Sequence, residues 1–82
     1  MLKIFRADDY ILVKASEPHP ANTAYRIAFG KEKWNKDVPV FKIQMVYNGK
    51  VSGRRSPSYP QGSDDYERVE KAMNYLYKRY NK

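Results

Sequence analysis

The sequence lacks cysteine altogether and has one histidine among its 82 residues. Without thiols there is no disulfide and no thiolate metal site. Small secreted domains generally lean on disulfides, so this composition favours a reducing compartment, and a cytoplasmic location is expected. No apolar run approaches the ~18–20 residues of a membrane span. Met1-Leu2-Lys3-Ile4-Phe5 reads as the start of a strand, not as a signal-peptide core. Enzymatic machinery is sparse too. His19 sits between Pro18 and Pro20, in a segment that reads as a surface loop. The pairs Asp8-Asp9 and Asp64-Asp65 suit turn and cap positions better than a metal site. No phosphate-cradling glycine motif or nucleophile elbow is present. The expectation is a protein with no catalytic residue, no metal and no cofactor.

What the sequence does have is positive charge and aromatic rings. Sixteen Lys and Arg against nine Asp and Glu give a formal net charge of +7. Charge of that density attracts phosphate polyanions over long range and releases their counterions on contact. Solubility alone would account for a charge of ~2–8 on a small domain, so placement must decide between the two. Eight tyrosines, three phenylalanines and one tryptophan supply many flat faces for so short a chain.

The pattern of residues predicts one α+β domain over residues 1–82, an antiparallel sheet of four to five strands followed by one C-terminal amphipathic helix. Leu2 to Arg6 and Tyr10 to Ala15 are β-rich runs around Ala7-Asp8-Asp9, which predicts a hairpin because Asp bonds nearby backbone amides in turns. Glu17 to Pro20 is a loop, since each proline removes an amide donor. Thr23 to Phe29 alternates Tyr25, Ile27 and Phe29 with Ala24, Arg26 and Ala28, the period of a half-buried strand. Gly30 to Asp37 is expected to be a lysine-rich loop. Val38 to Tyr47 places Phe41, Ile43, Met45 and Tyr47 on one face and Val40, Lys42, Gln44 and Val46 on the other. Asn48-Gly49 follows, a strong signal for a two-residue turn, and Lys50 to Arg55 would return as a strand. Ser56 to Gly62 reads as loop. A helix is predicted from Asp64 to about Tyr80, opened by an Asp64–Glu67 capping box. Its apolar stripe is Tyr66, Val69, Met73, Leu76 and Tyr80.

Basic residues fall into two clusters. On the helix, Arg68, Lys71, Tyr75, Lys78 and Lys82 recur at steps of three and four, a basic stripe with a tyrosine inside it; a merely solvated face is the alternative. On the predicted hairpin, counting back from Asn48-Gly49 sets Lys42 opposite Arg55, a like-charge pair that an overlying phosphate would relieve. Trp34 lies among Lys31, Lys33 and Lys36, and Tyr59 follows Arg54-Arg55. Rings beside cations are what single-strand binders use, the base stacking on the ring while Lys or Arg holds the backbone. Trp34 as a core cap is the competing reading.

The run Tyr25-Arg-Ile-Ala-Phe, a basic loop with Trp34-Asn35, Val38-Pro-Val-Phe-Lys-Ile-Gln-Met-Val-Tyr, a turn, Gly53-Arg-Arg-Ser and an amphipathic helix resembles the transcriptional-coactivator family of single-stranded DNA-binding proteins. The resemblance covers about fifty residues. It implies four antiparallel strands and a helix, a homodimer, and single-strand contacts at Arg26, Lys33, Trp34, Lys42, Arg54 and Arg55. The predicted N-terminal hairpin and the basic helix depart from that pattern. Phe41 to Lys50 followed by Gly53 is also similar to the hairpin of double-stranded RNA-binding domains, whose N-terminal helix is missing here. The expected function is non-catalytic binding of single-stranded DNA or RNA. Binding residues would be Arg26, Lys33, Trp34, Lys42, Arg54, Arg55, Tyr59, Arg68, Lys71, Tyr75 and Lys78. The rivals are a small protein-interaction module, such as a phage-type inhibitor or adaptor, then double-stranded RNA binding or a metal-independent ribonuclease working through Lys, Arg and Tyr. The expected partner is single-stranded nucleic acid, with homodimerisation open and neither a membrane nor a small-molecule substrate.

Overall fold

A computed structural model describes residues 5–82. Four antiparallel strands lie in the order β1-β2-β3-β4, with β1 Phe5–Lys14, β2 Thr23–Lys33, β3 Asp37–Tyr47 and β4 Lys50–Ser52. A single helix, α1 Asp65–Tyr80, closes the chain. This is the α+β arrangement that the sequence predicts. None of the described helices is long and apolar enough to cross a membrane.

The expected N-terminal hairpin is not formed. Phe5 to Lys14 is one strand pairing with β2, and Ala7-Asp8-Asp9 is a bulge inside it, between the pairs Ala7–Gly30 and Asp9–Phe29. Leu2 to Ile4 of the predicted first run lie outside the described residues. The two aspartates are satisfied by distant partners in place of a turn: Asp8 pairs with Lys31 at 2.8 Å, and Asp9 accepts the Tyr80 hydroxyl at 2.6 Å. Gly30 is what admits the bulge. A Cβ there would run into the Arg6 carbonyl and the Ala7 Cα. The predicted Gly30–Asp37 loop is correspondingly short, because β2 continues to Lys33 and turns through Trp34-Asn35-Lys36 into β3.

The β3–β4 turn forms at Asn48-Gly49, both at positive φ, as a two-residue hairpin requires. Tyr47 pairs with Lys50 and Val46 with Val51, but the ladder stops at Met45–Ser52. Lys42 and Arg55 therefore do not pair across strands. Beyond β4, the outer backbone groups on β3 belong to alternate residues, among them Pro39. Proline lacks the amide that would be left unpaired on that edge.

The helix covers one sheet face. Tyr25 and Ile27 of β2, Met45 of β3 and Leu76 of the helix have no exposed surface, and Ile11, Val13, Phe41 and Ile43 pack beside them. Burying Leu76 contributes roughly 1.5–3 kcal/mol. Of the predicted apolar stripe, Tyr66 is exposed and Ala72 takes the buried role. Tyr80 stacks on Phe29 with centroids 4.4 Å apart, fixing the helix end on the sheet. The expected capping box is absent. Asp64 makes no cap hydrogen bond and instead accepts from Arg68 Nε at 3.0 Å, while Ser63 Oγ accepts the Asp65 amide.

Candidate nucleic-acid interface

Strand alternation sends half of the sheet's side chains to the face that the helix leaves uncovered. Two cross-strand rows define this face, Tyr10–Ala28–Lys42 and Leu12–Arg26–Gln44. Tyr10 and Leu12 are 50% and 55% exposed. The Arg26 guanidinium lies over the Tyr10 ring at 4.5 Å and donates to Gln44 Oε1 at 3.3 Å. Lys42 lies 5.0 Å from the centre of the Phe5 ring and is paired with Glu32. Ala28, in the middle of the first row, is buried. Cations are thus laid over rings, in the geometry of a cation–π contact.

Where β4 ends, the chain leaves the sheet and a groove of about 220 Å³ opens along β3, lined by Lys42, Gln44, Ser52, Arg54 and Arg55. Arg54 is exposed and makes no ion pair among the described residues. Arg55 stacks over the Tyr47 ring at 5.6 Å. It also lines a second cleft of about 360 Å³ with His19, Tyr47 and Tyr59, on the helix side of the sheet. Arg55 therefore joins the two grooves. Lys33 and Trp34 occupy the opposite end of β3, both exposed, Trp34 at 62%. That exposure excludes the core-cap reading of Trp34.

The helix stripe is not part of this surface, since the helix lies on the other sheet face. Lys71 and Lys78 are exposed, and Tyr75 accepts a hydrogen bond from Arg79 at 3.3 Å. Arg68 has structural partners. It donates to Asp65 at 2.7 Å, to Asp64 and to the Lys14 carbonyl at 2.9 Å, and the two carboxylates raise its pKa. Tyr59 is a half-buried wall rather than a free platform, packed against Tyr25 and Tyr66 at 5.1 and 5.4 Å. Burial raises its hydroxyl pKa, and Tyr66 adds to the effect.

Asp65 organises this end of the molecule. Fully buried, it accepts from the Ser16 amide at 2.9 Å, the Ser16 hydroxyl at 2.5 Å, the Tyr25 hydroxyl at 2.7 Å and Arg68. Burial alone would push its pKa up, but these donors together outweigh it and hold the carboxyl well below the usual range. Tyr25 is raised for the complementary reason, burial first and then the bond to Asp65. His19, expected on the surface, is half-buried, with Nε2 2.9 Å from the Ser58 carbonyl and 3.3 Å from the Tyr25 hydroxyl. Among the described residues no three His, Asp or Glu are grouped to hold a metal.

No family model, curated protein or solved structure matches this chain. Sequence reasoning missed Tyr10, Tyr47 and His19; the alternation of Tyr10, Leu12 and Lys14 with Ile11 and Val13 was the available signal for the first.

Proposed function

We propose that this domain binds single-stranded nucleic acid without catalysis, across the uncovered sheet face and the groove beside β3. One observation carries the reading. The helix leaves uncovered a face on which Arg26 and Lys42 lie over the rings of Tyr10 and Phe5, next to exposed Arg54 and Arg55. Unstacked bases need flat apolar partners and their phosphates need cations, and this face offers both at close spacing. A duplex has its bases already stacked and would use only the charges. The setting would be the cytoplasm.

Fluorescence anisotropy with labelled single- and double-stranded oligomers tests the proposal. Single strands should bind more tightly, and log K should fall linearly with log salt at about 0.7 per phosphate contacted. Absence of binding to every oligomer at low salt would pass the role to the protein-interaction reading. Trp34→Ala gives a second check. Its exposed ring predicts a melting temperature close to wild type, within about 0.5 kcal/mol of stability. If a base stacks there, affinity drops by ~1–3 kcal/mol with the salt slope unchanged. Unchanged affinity would remove Trp34 from the interface.

A further inference from the structure

We infer that the cleft between the proline-rich loop and the end of β3 is a subsite for one unstacked nucleobase, with its neighbouring phosphate on Arg55; this rests on the proposed single-strand reading. The cleft measures about 360 Å³, within the size range of small-ligand sites. Pro18, Pro20 and Pro60 form part of its wall, and proline surrenders no side-chain rotamer freedom when a ligand docks. The Tyr59 ring packs against Tyr25 and Tyr66, a fixed wall that needs little ordering when a ligand docks. Tyr47 also lines the cleft, with Arg55 over its ring.

Polarity narrows the ligand. No acidic residue lines the cleft, and Arg55 is its one arginine or lysine. Arg55 makes no ion pair and no hydrogen bond among the described residues, and neither the Tyr47 nor the Tyr59 hydroxyl has a hydrogen-bond partner there. A planar ring carrying an anionic group, with polar edges facing two hydroxyls, matches these features together. A proline-rich peptide would use the aromatic walls but leave Arg55 idle. Because Arg55 also lines the groove holding Lys42, Gln44 and Arg54, a strand crossing the open face could deliver its next base around the β3 edge into the cleft.

The test is an NMR titration of the whole chain with a deoxythymidine octamer and with an abasic octamer of the same backbone. The octamer should shift the ring protons of Tyr47, Tyr59 and His19, and the abasic strand should leave them in place. Tyr47→Leu should weaken octamer binding about five- to 150-fold, the range of one stacked base, while Tyr47→Phe, which keeps the ring and loses only the hydroxyl contact, should weaken it about two- to tenfold. Arg55→Gln should lower the salt slope by about 0.7. Amide spectra of each variant separate lost contacts from lost folding. Equal shifts with the abasic strand would overturn the inference. So would shifts confined to Tyr10 and Arg26, which would leave the open-face reading standing. No binding of either octamer would instead end the single-strand reading itself. A proline-rich peptide that shifts the same rings when the octamer does not would assign the cleft to peptide.

Discussion

Replacing Asp65 with asparagine should cost the domain about 3 kcal/mol, the lower end of what breaking a buried ion pair removes. The lower end applies because Arg68 keeps a third of its side chain in water and retains Asp64 as a partner. Asparagine presents one acceptor oxygen where the carboxylate offers two, and turns an NH₂ group toward donors from Ser16, Tyr25 or Arg68. At roughly 0.05–0.15 kcal/mol per residue the chain has about 4–12 kcal/mol in all, so the loss is a large share. Urea unfolding followed by circular dichroism measures it. Asp64→Asn is the control, since its pair with Arg68 is exposed and worth about 0.2–1 kcal/mol. Equal effects from the two variants would show that the buried carboxylate does not anchor the loop.

The same carboxylate sets an acid limit. Its folded pKa is depressed, so its contribution is fully present above the unfolded value of about 3.9 and is lost as pH falls below that. Wild type should lose stability steeply in that range, and Asp65→Asn should lack this part of the slope. Tyr25 acts in the opposite sense. Its folded pKa is raised, so its contribution is present below about 10 and is lost as pH rises beyond it.

Local patterns were legible where neighbours in sequence are also neighbours in space. Val38 to Tyr47 alternates as a two-faced strand should, and Asn48-Gly49 has the backbone freedom that its turn uses. The misreadings share one cause. Asp8-Asp9 has turn composition, but the groups that satisfy it, Lys31 and Tyr80, lie 23 and 71 residues away. Asp65 reads as part of a helix start, yet its donors on Ser16 and Tyr25 are 49 and 40 residues distant. Candidate cations could be counted in the sequence, but not their pairing. Arg68 is bound to two carboxylates and a carbonyl, Lys42 to Glu32, while Arg54 makes no ion pair among the described residues. Tyr10 becomes part of a surface only when β2 sets Arg26 beside it.

The largest expected effect on binding comes from removing Arg26, Arg54 and Arg55 together. Three phosphate contacts at about 0.7 each should flatten the single-strand salt slope by roughly 2 units. Net charge falls by three, and long-range attraction alone would weaken binding to some degree. A matched variant separates the two causes. Lys71→Ala with Lys78→Ala and Lys82→Ala also removes three charges, from the exposed helix side opposite the open face. If strands lie on the sheet, this second variant should keep nearly all of the wild-type slope. Neither set includes a buried ion pair, and Arg68 and Lys42 are left intact because their losses would strand Asp65 and disturb Glu32. Phosphate contacts carry no direct base information, so the first variant should weaken all sequences alike. Equal flattening by both variants would mean that charge acts without a defined track. Flattening by the lysine variant alone would move the interface to the helix, the other basic cluster in the sequence.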